Sequence, residues 1–94
     1  MNVKIVDYGY KEDDAYIVYK ISGLDLKQLK ILDENLNEET KLNEKEKYLD
    51  LNIHFEKEFF PFESKESRNK LEDYIAREEI EMEVFISSFL EDFN

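Results

Sequence analysis

The sequence predicts an α+β fold, a small antiparallel sheet of three or four strands with a long or broken C-terminal helix packed on one of its faces. Three observations carry this expectation. Two runs rich in Val, Ile and Tyr, residues 3–8 (VKIVDY) and 15–22 (AYIVYKIS), flank a short polar segment. A third stretch, YLDLNIHFEKEF, alternates Leu49, Leu51, Ile53 and Phe55 with Asp50, Asn52, His54 and Glu56. After residue 64 the apolar residues recur with helical spacing.

In chain order, β-branched and aromatic runs around YKEDD read as a hairpin. Ser22 and Gly23 end its second strand, because glycine is depleted within strands and permits a change of direction. The next stretch, LDLKQLKILDENLNEETKLNEKEK, fits two templates. Leu26, Leu29, Ile31 and Leu32 form one face of a short helix capped by Asp25, or a third strand that runs into a long polar turn. The expectation is the strand. Period two in YLDLNIHFEKEF then marks a half-buried strand.

Pro61 breaks that pattern, since it cannot donate to a ladder and biases Phe60 away from helix. Ser64 and Ser67 are both suitable N-caps for a helix over the last third of the chain. Leu71, Tyr74, Ile75, Met82, Phe85, Ile86, Phe89 and Phe93 fall in one helical stripe, with only Glu78 and Glu79 charged near it. Ile80, Met82, Val84 and Ile86 also alternate as a strand would, but the helix accounts for Phe89 and Phe93 as well. Whether residues 64–93 make one helix or two is open at this level. The 94 residues are expected to form a single domain, 1–94, with one modest core.

Composition excludes several classes of function. There is no cysteine, so a disulfide framework, a zinc–thiolate site and a thiol nucleophile are all ruled out. Gly9 and Gly23 stand far apart, which removes the glycine-rich phosphate loop. The opening MNVKIVDYGYKEDD lacks the apolar core of a signal peptide, and no apolar run is long enough to span a bilayer. A cytoplasmic protein without membrane contact is expected. The net charge of −11 repels nucleic acid and anionic lipid at range and favours a basic partner. No cofactor and no enzymatic activity are expected.

Individual candidates each compete with a plainer explanation. His54 lies among Asp50, Asn52 and Glu56 and could act as an acid, a base or a metal ligand, but a lone histidine on a polar strand face is more often surface. Asp33, Asn35, Asn37 and Glu44 occupy positions 1, 3, 5 and 12 of a segment that resembles an EF-hand calcium loop. That resemblance departs at Glu38, where the turn needs glycine, and at Thr40, where an apolar branched residue normally stands. Tyr8, Tyr10, Tyr16 and Tyr19 would need a basic groove to serve as a stacking platform, so packing explains them better. Phe55, Phe59, Phe60 and Phe62 read as core filling before they read as a partner anchor.

The carboxylates are the strongest signal. Residues 1–70 hold 16 acidic and 12 basic side chains, whereas residues 71–94 hold eight acidic and one basic. Solvated helices usually mix signs, because like charges one turn apart repel. In IAREEIEMEV, Glu78, Glu79, Glu81 and Glu83 place four charges along roughly 7.5 Å of helix, a linear density comparable to that of duplex DNA. Glu78 and Glu81 project to one flank of the apolar stripe and Glu79 and Glu83 to the other, which disfavours a metal site or a catalytic carboxylate pair.

In size, charge and lack of catalytic motifs, and on KEDD at 11–14, DENLNEE at 33–39 and AREEIEME at 76–83, the chain resembles the small phage-encoded nucleic-acid mimics, including anti-CRISPR and anti-restriction proteins. The resemblance implies an inhibitor that acts in the host cytoplasm by covering the basic surface of a nucleic-acid-binding protein. Glu78, Glu79, Glu81 and Glu83 would then be the main contacts and Asp13, Asp14, Glu38 and Glu39 a second patch. The alternative expectation is an interaction module that pairs with a second copy of itself, or with a partner helix, through Phe85, Phe89 and Phe93.

Overall fold

A computed structural model describes residues 1–62 and 68–93, with side chains over 1–62 and 71–93. Strands β1 (Asn2–Lys11) and β2 (Asp14–Ser22) form a hairpin, followed by helix α1 (Leu26–Asn35). Strands β3 (Glu39–Asn43) and β4 (Tyr48–Glu56) come next, then a single 3-10 turn (Lys57–Phe59) and helix α2 (Arg68–Glu91). The four strands make one antiparallel sheet in the order β1-β2-β4-β3. The fold is therefore α+β, as the patterning predicts.

β2 and β4 form the centre of the sheet, and their alternation decides which face is buried. Ile17, Tyr19 and Ile21 pair with Ile53, Leu51 and Leu49, placing all six on one face. The opposite face carries Tyr16, Val18 and Lys20 against His54, Asn52 and Asp50. β1 keeps to the same buried face by a bulge. Val3 and Ile5 pair with Ile21 and Tyr19, the register then shifts, and Tyr8 and Tyr10 pair with Ile17 and Ala15. Val6 is the extra residue, and it stands 54% exposed. Were Val6 instead paired in a regular ladder, opposite Val18, Asp7 and Gly9 would turn inward and both tyrosines outward.

The stretch expected as a third strand is a helix. Asp25 Oδ1 accepts from the Gln28 N–H at 2.8 Å while Gln28 Oε1 accepts from the Asp25 N–H at 3.1 Å, a complete capping box. LKQLKILDEN is otherwise made of good helix formers and contains a single β-branched residue, Ile31. Leu29 and Leu32 are fully buried beneath it. The third strand of the sequence lies later, inside the segment expected as a polar turn. β3 has only Thr40 and Leu42 opposite Leu51 and Leu49, too few apolar residues to show a period. It is tied to α1 by Thr40 Oγ1 donating to Asp33 Oδ1 at 2.7 Å and, just past its end, by Lys30 facing Glu44 at 3.3 Å. The letters that resemble a calcium loop are thus spread over a helix, a connection and a strand end.

α2 runs unbroken from Arg68 to Glu91, so the two-helix and strand alternatives for this region do not apply. The expected caps Ser64 and Ser67 lie outside the described residues. Ile86 is completely buried and Leu90 nearly so, while Phe85 and Phe93 stay about half exposed. The stripe read from the sequence is therefore rotated toward Leu90, which it omitted. α2 packs mainly along β1, and α1 covers β3 and β4 on the same face of the sheet. No described helix is long and apolar enough to cross a membrane.

Candidate functional site

The two helices cover one sheet face from opposite sides and leave a gap over its centre. Tyr19 of β2 and Leu51, Ile53 and Phe55 of β4 line this gap from the sheet, while Met82, Phe85 and Phe89 of α2 wall one side. Asn35, Leu36, Asn37 and Glu38, where α1 ends and runs toward β3, wall the other. The result is an open groove of about 530 Å³, within the usual range for ligand pockets. Its lining is mainly apolar, with Glu38, Glu78 and Glu81 as the charged members.

Local structure explains why these groups meet. α1 stops at Asn35, whose side-chain amide donates to the Ile31 carbonyl at 2.7 Å, and the Leu36 N–H closes the last turn onto Leu32 at 3.0 Å. Leu36 then adopts an extended conformation, so the chain leaves α1 and runs past the groove into β3. On α2, positions 78, 81, 82, 85 and 89 follow helical spacing along one flank. The side that carries Phe85 and Phe89 therefore also carries Glu78 and Glu81.

The electrostatics of the groove are one-sided. Burial, with Glu81 next in effect, pushes the Glu78 carboxyl above its ordinary range, and Arg77 offsets only part of this. Tyr19 is 1% exposed, and burial followed by the charges of Glu78 and Glu81 pushes its phenol far upward. Its hydroxyl hydrogen-bonds no described residue and keeps a trace of solvent contact. Arg77, the cation nearest in sequence, lies near the Tyr74 ring at 5.9 Å.

The other carboxylates singled out in the sequence do not join this site. Glu79 Oε2 accepts from the backbone N–H of Ile5 at 2.8 Å, just before the β1 bulge. It holds α2 to the edge strand, satisfying a donor that the ladder leaves over and covering an edge that would otherwise be open. Glu83 is exposed on α2 away from the groove. Asp13 sits in the hairpin turn after Glu12, which adopts φ 59°, and Asp14 opens β2 opposite Glu56 of β4. Glu39 lies on the open sheet face, with His54 Nε2 3.0 Å from its Oε2.

A family of unknown function, DUF5750, has a model that matches residues 2–92, which takes in every element from β1 to α2 and with them all the groove residues. The chain belongs to DUF5750. No curated protein matches it.

Two other places in this DUF5750 chain carry candidate groups. At the Ala15 end of the buried face, Phe60 and Phe62 pack edge-on at 5.5 Å, with Tyr8 5.0 Å from Phe62 and Tyr10 5.2 Å from Phe60. Of the four clustered phenylalanines, Phe55, Phe60 and Phe62 are thus packing residues, and Phe59 is open at 69% exposure. On the open sheet face Asn52 donates to Glu39 at 3.5 Å beside His54, while Tyr16 donates to Asp7 at 3.2 Å. His54 therefore finds its carboxylate on β3 and not on its own strand.

Sequence reasoning reached Glu38, Glu78 and Glu81 by charge, but missed Tyr19 as a site residue. On β2 it alternates with Lys20 and Val18 just as Ile17 and Ile21 do, and only the three-dimensional gap between α1 and α2 sets it apart.

Proposed function

We propose that this DUF5750 protein is a non-catalytic binding protein that captures a basic, partly apolar segment of another protein and so covers a surface that would otherwise meet nucleic acid. The observation that carries this reading is the groove, where Glu38, Glu78 and Glu81 border Met82, Phe85 and Phe89. Apolar contact area supplies affinity, and the surrounding carboxylates select a positively charged partner and speed its approach. Eight of the nine charges in residues 71–94 are negative, so the field around α2 favours the same partner. The reading keeps the inhibitor character that the acidic sequence suggested, in a cytoplasmic setting, and moves the contact from a row of four glutamates to one flank of α2.

The test is binding of a basic nucleic-acid-binding protein from the source cell to the chain and to a variant with Glu38, Glu78 and Glu81 all replaced by Gln. Capture at low salt, release at high salt, displacement by duplex DNA and loss in the variant are the expected results. Capture that neither salt nor the triple replacement changes would remove this function from consideration.

A specific observation favours a second reading, association with another copy of the chain. Ile80 and Val84, one helical turn apart, are 63% and 61% exposed on the outer side of α2, away from the groove. Light scattering of the wild-type chain and of an Ile80→Lys, Val84→Lys variant separates the readings, since a dimer that the double replacement dissociates supports self-association.

A further inference from the structure

Resting on the binding-protein reading above, the geometry points to a lysine-receiving subsite at the floor of the groove, in which the ε-ammonium of one partner lysine meets the Tyr19 hydroxyl and the carboxylates of Glu78 and Glu81. The three acceptors come from two elements that converge on the groove, β2 and α2. Tyr19 is the decisive member. It is 1% exposed, no described residue hydrogen-bonds its hydroxyl, and the trace of solvent contact that the hydroxyl keeps opens onto the groove that Tyr19 lines. A bound donor would complete it.

The chemistry of the donor follows from its surroundings. Two carboxylates beside the phenol favour a cation, since like charges on neighbouring turns gain from one placed between them. A metal ion is a poor fit, since no three His, Cys, Asp or Glu side chains among the described residues come close enough to hold one. An ammonium carries three N–H donors that radiate from one atom, matching three separate acceptors, whereas a guanidinium presents a flat fork suited to a single carboxylate. The four-carbon stem of lysine is apolar and would run between Met82, Phe85 and Phe89 on its way in. The groove volume exceeds what one side chain needs, leaving room for apolar neighbours of the same segment.

The inference is tested with short amphipathic peptides that carry a single lysine between leucines, together with counterparts in which the lysine is norleucine or arginine. Affinity is read by calorimetry and location by amide resonance shifts. The lysine peptide is expected to shift Tyr19, Met82 and Phe89 and to bind about tenfold or more tightly than the norleucine peptide, as a charge-assisted hydrogen bond warrants. Tyr19→Phe should weaken the lysine peptide by about tenfold and leave the norleucine peptide unchanged, with the melting temperature of the free protein preserved. Should that variant fold poorly, Glu78→Gln with Glu81→Gln reads out the same lysine-to-norleucine difference.

Equal binding of the lysine and norleucine peptides, tighter binding of the arginine peptide, or full affinity in Tyr19→Phe would overturn the subsite while leaving the groove as a docking place. If none of the three peptides disturbs a groove residue, the subsite and the binding function proposed for the groove fall together.

Discussion

The two flanks of α2 carry the same residue type to different ends. On the β1 side, Glu79 accepts the Ile5 N–H at 2.8 Å and anchors the helix to the edge of the sheet. On the groove side, Glu78 and Glu81 stand beside an unpartnered phenol and beside each other, an arrangement in which Glu78 is raised toward its neutral form. Adjacent positions on a helix are separated by about 100°, so one step of sequence moves a carboxylate from a structural contact to an idle, repulsive one. A charge that costs stability where it stands is better explained by a bound partner than by the fold. The flank that looks less stable is the one on which function is proposed.

The comparison can be broken most severely from the β1 side. Ile86, seven residues after Glu79 and on the same side of α2, is completely buried. Ile86→Ala should cost about 2–5 kcal/mol, from lost apolar contact and the cavity left behind, and urea unfolding monitored by circular dichroism measures it. An unchanged unfolding midpoint would show that this side of α2 does not pack on the sheet.

A smaller effect is expected from Glu79→Ala, which leaves a partly buried N–H without its acceptor and should lower stability by about 1–3 kcal/mol. Glu79→Gln keeps an acceptor oxygen and should recover a substantial part of that loss in the same urea assay. Equal losses in the two variants would mean that the charge, not the hydrogen bond, holds α2 in place.

The smallest effect is opposite in sign and lies on the other flank. Because the folded-state value of Glu78 is raised, the folded chain binds that proton more tightly than the unfolded chain does. The corresponding stability is fully present below the ordinary carboxylate range and is lost as the pH climbs through the raised value. Glu78→Gln should therefore melt at a higher temperature than wild type at neutral pH, with the gap closing as the pH falls. A variant that melts lower at neutral pH would show that the Glu78 carboxylate is held by a favourable contact after all.

Much of this arrangement is legible in the sequence wherever one simple period rules. β2 and β4 announce their buried face through Ile17, Tyr19 and Ile21 and through Leu49, Leu51 and Ile53, and α2 announces itself through stacked apolar residues. α1 escapes such a reading because Leu29, Ile31 and Leu32 satisfy either period, and the Asp25–Gln28 capping box that decides the matter is a contact and not a pattern. β3 is hidden because its five residues include a single large apolar side chain. The bulge at Val6 leaves no signature beyond a break in alternation that VKIVDYGY disguises with tyrosines.

The candidate site is legible by half. Charge density singles out Glu78, Glu79, Glu81 and Glu83, and helical geometry separates Glu78 and Glu81 from Glu79. What Glu79 touches, and that Glu38 faces Glu78 and Glu81 across a gap, depend on where two helices settle on a sheet. Tyr19 cannot be found this way, since an unpartnered hydroxyl is a property of its surroundings.

The central claim is that the groove flank of α2, and not its β1 flank, receives a basic partner. Amide resonance mapping of the intact chain during titration with the lysine peptide tests it directly. The account predicts shifts concentrated at Tyr19, Leu51, Met82, Phe85 and Phe89, with Ile5, Val6 and Glu79 undisturbed. Shifts concentrated at Ile5, Val6 and Glu79, or on the open sheet face around Glu39 and His54, would contradict it.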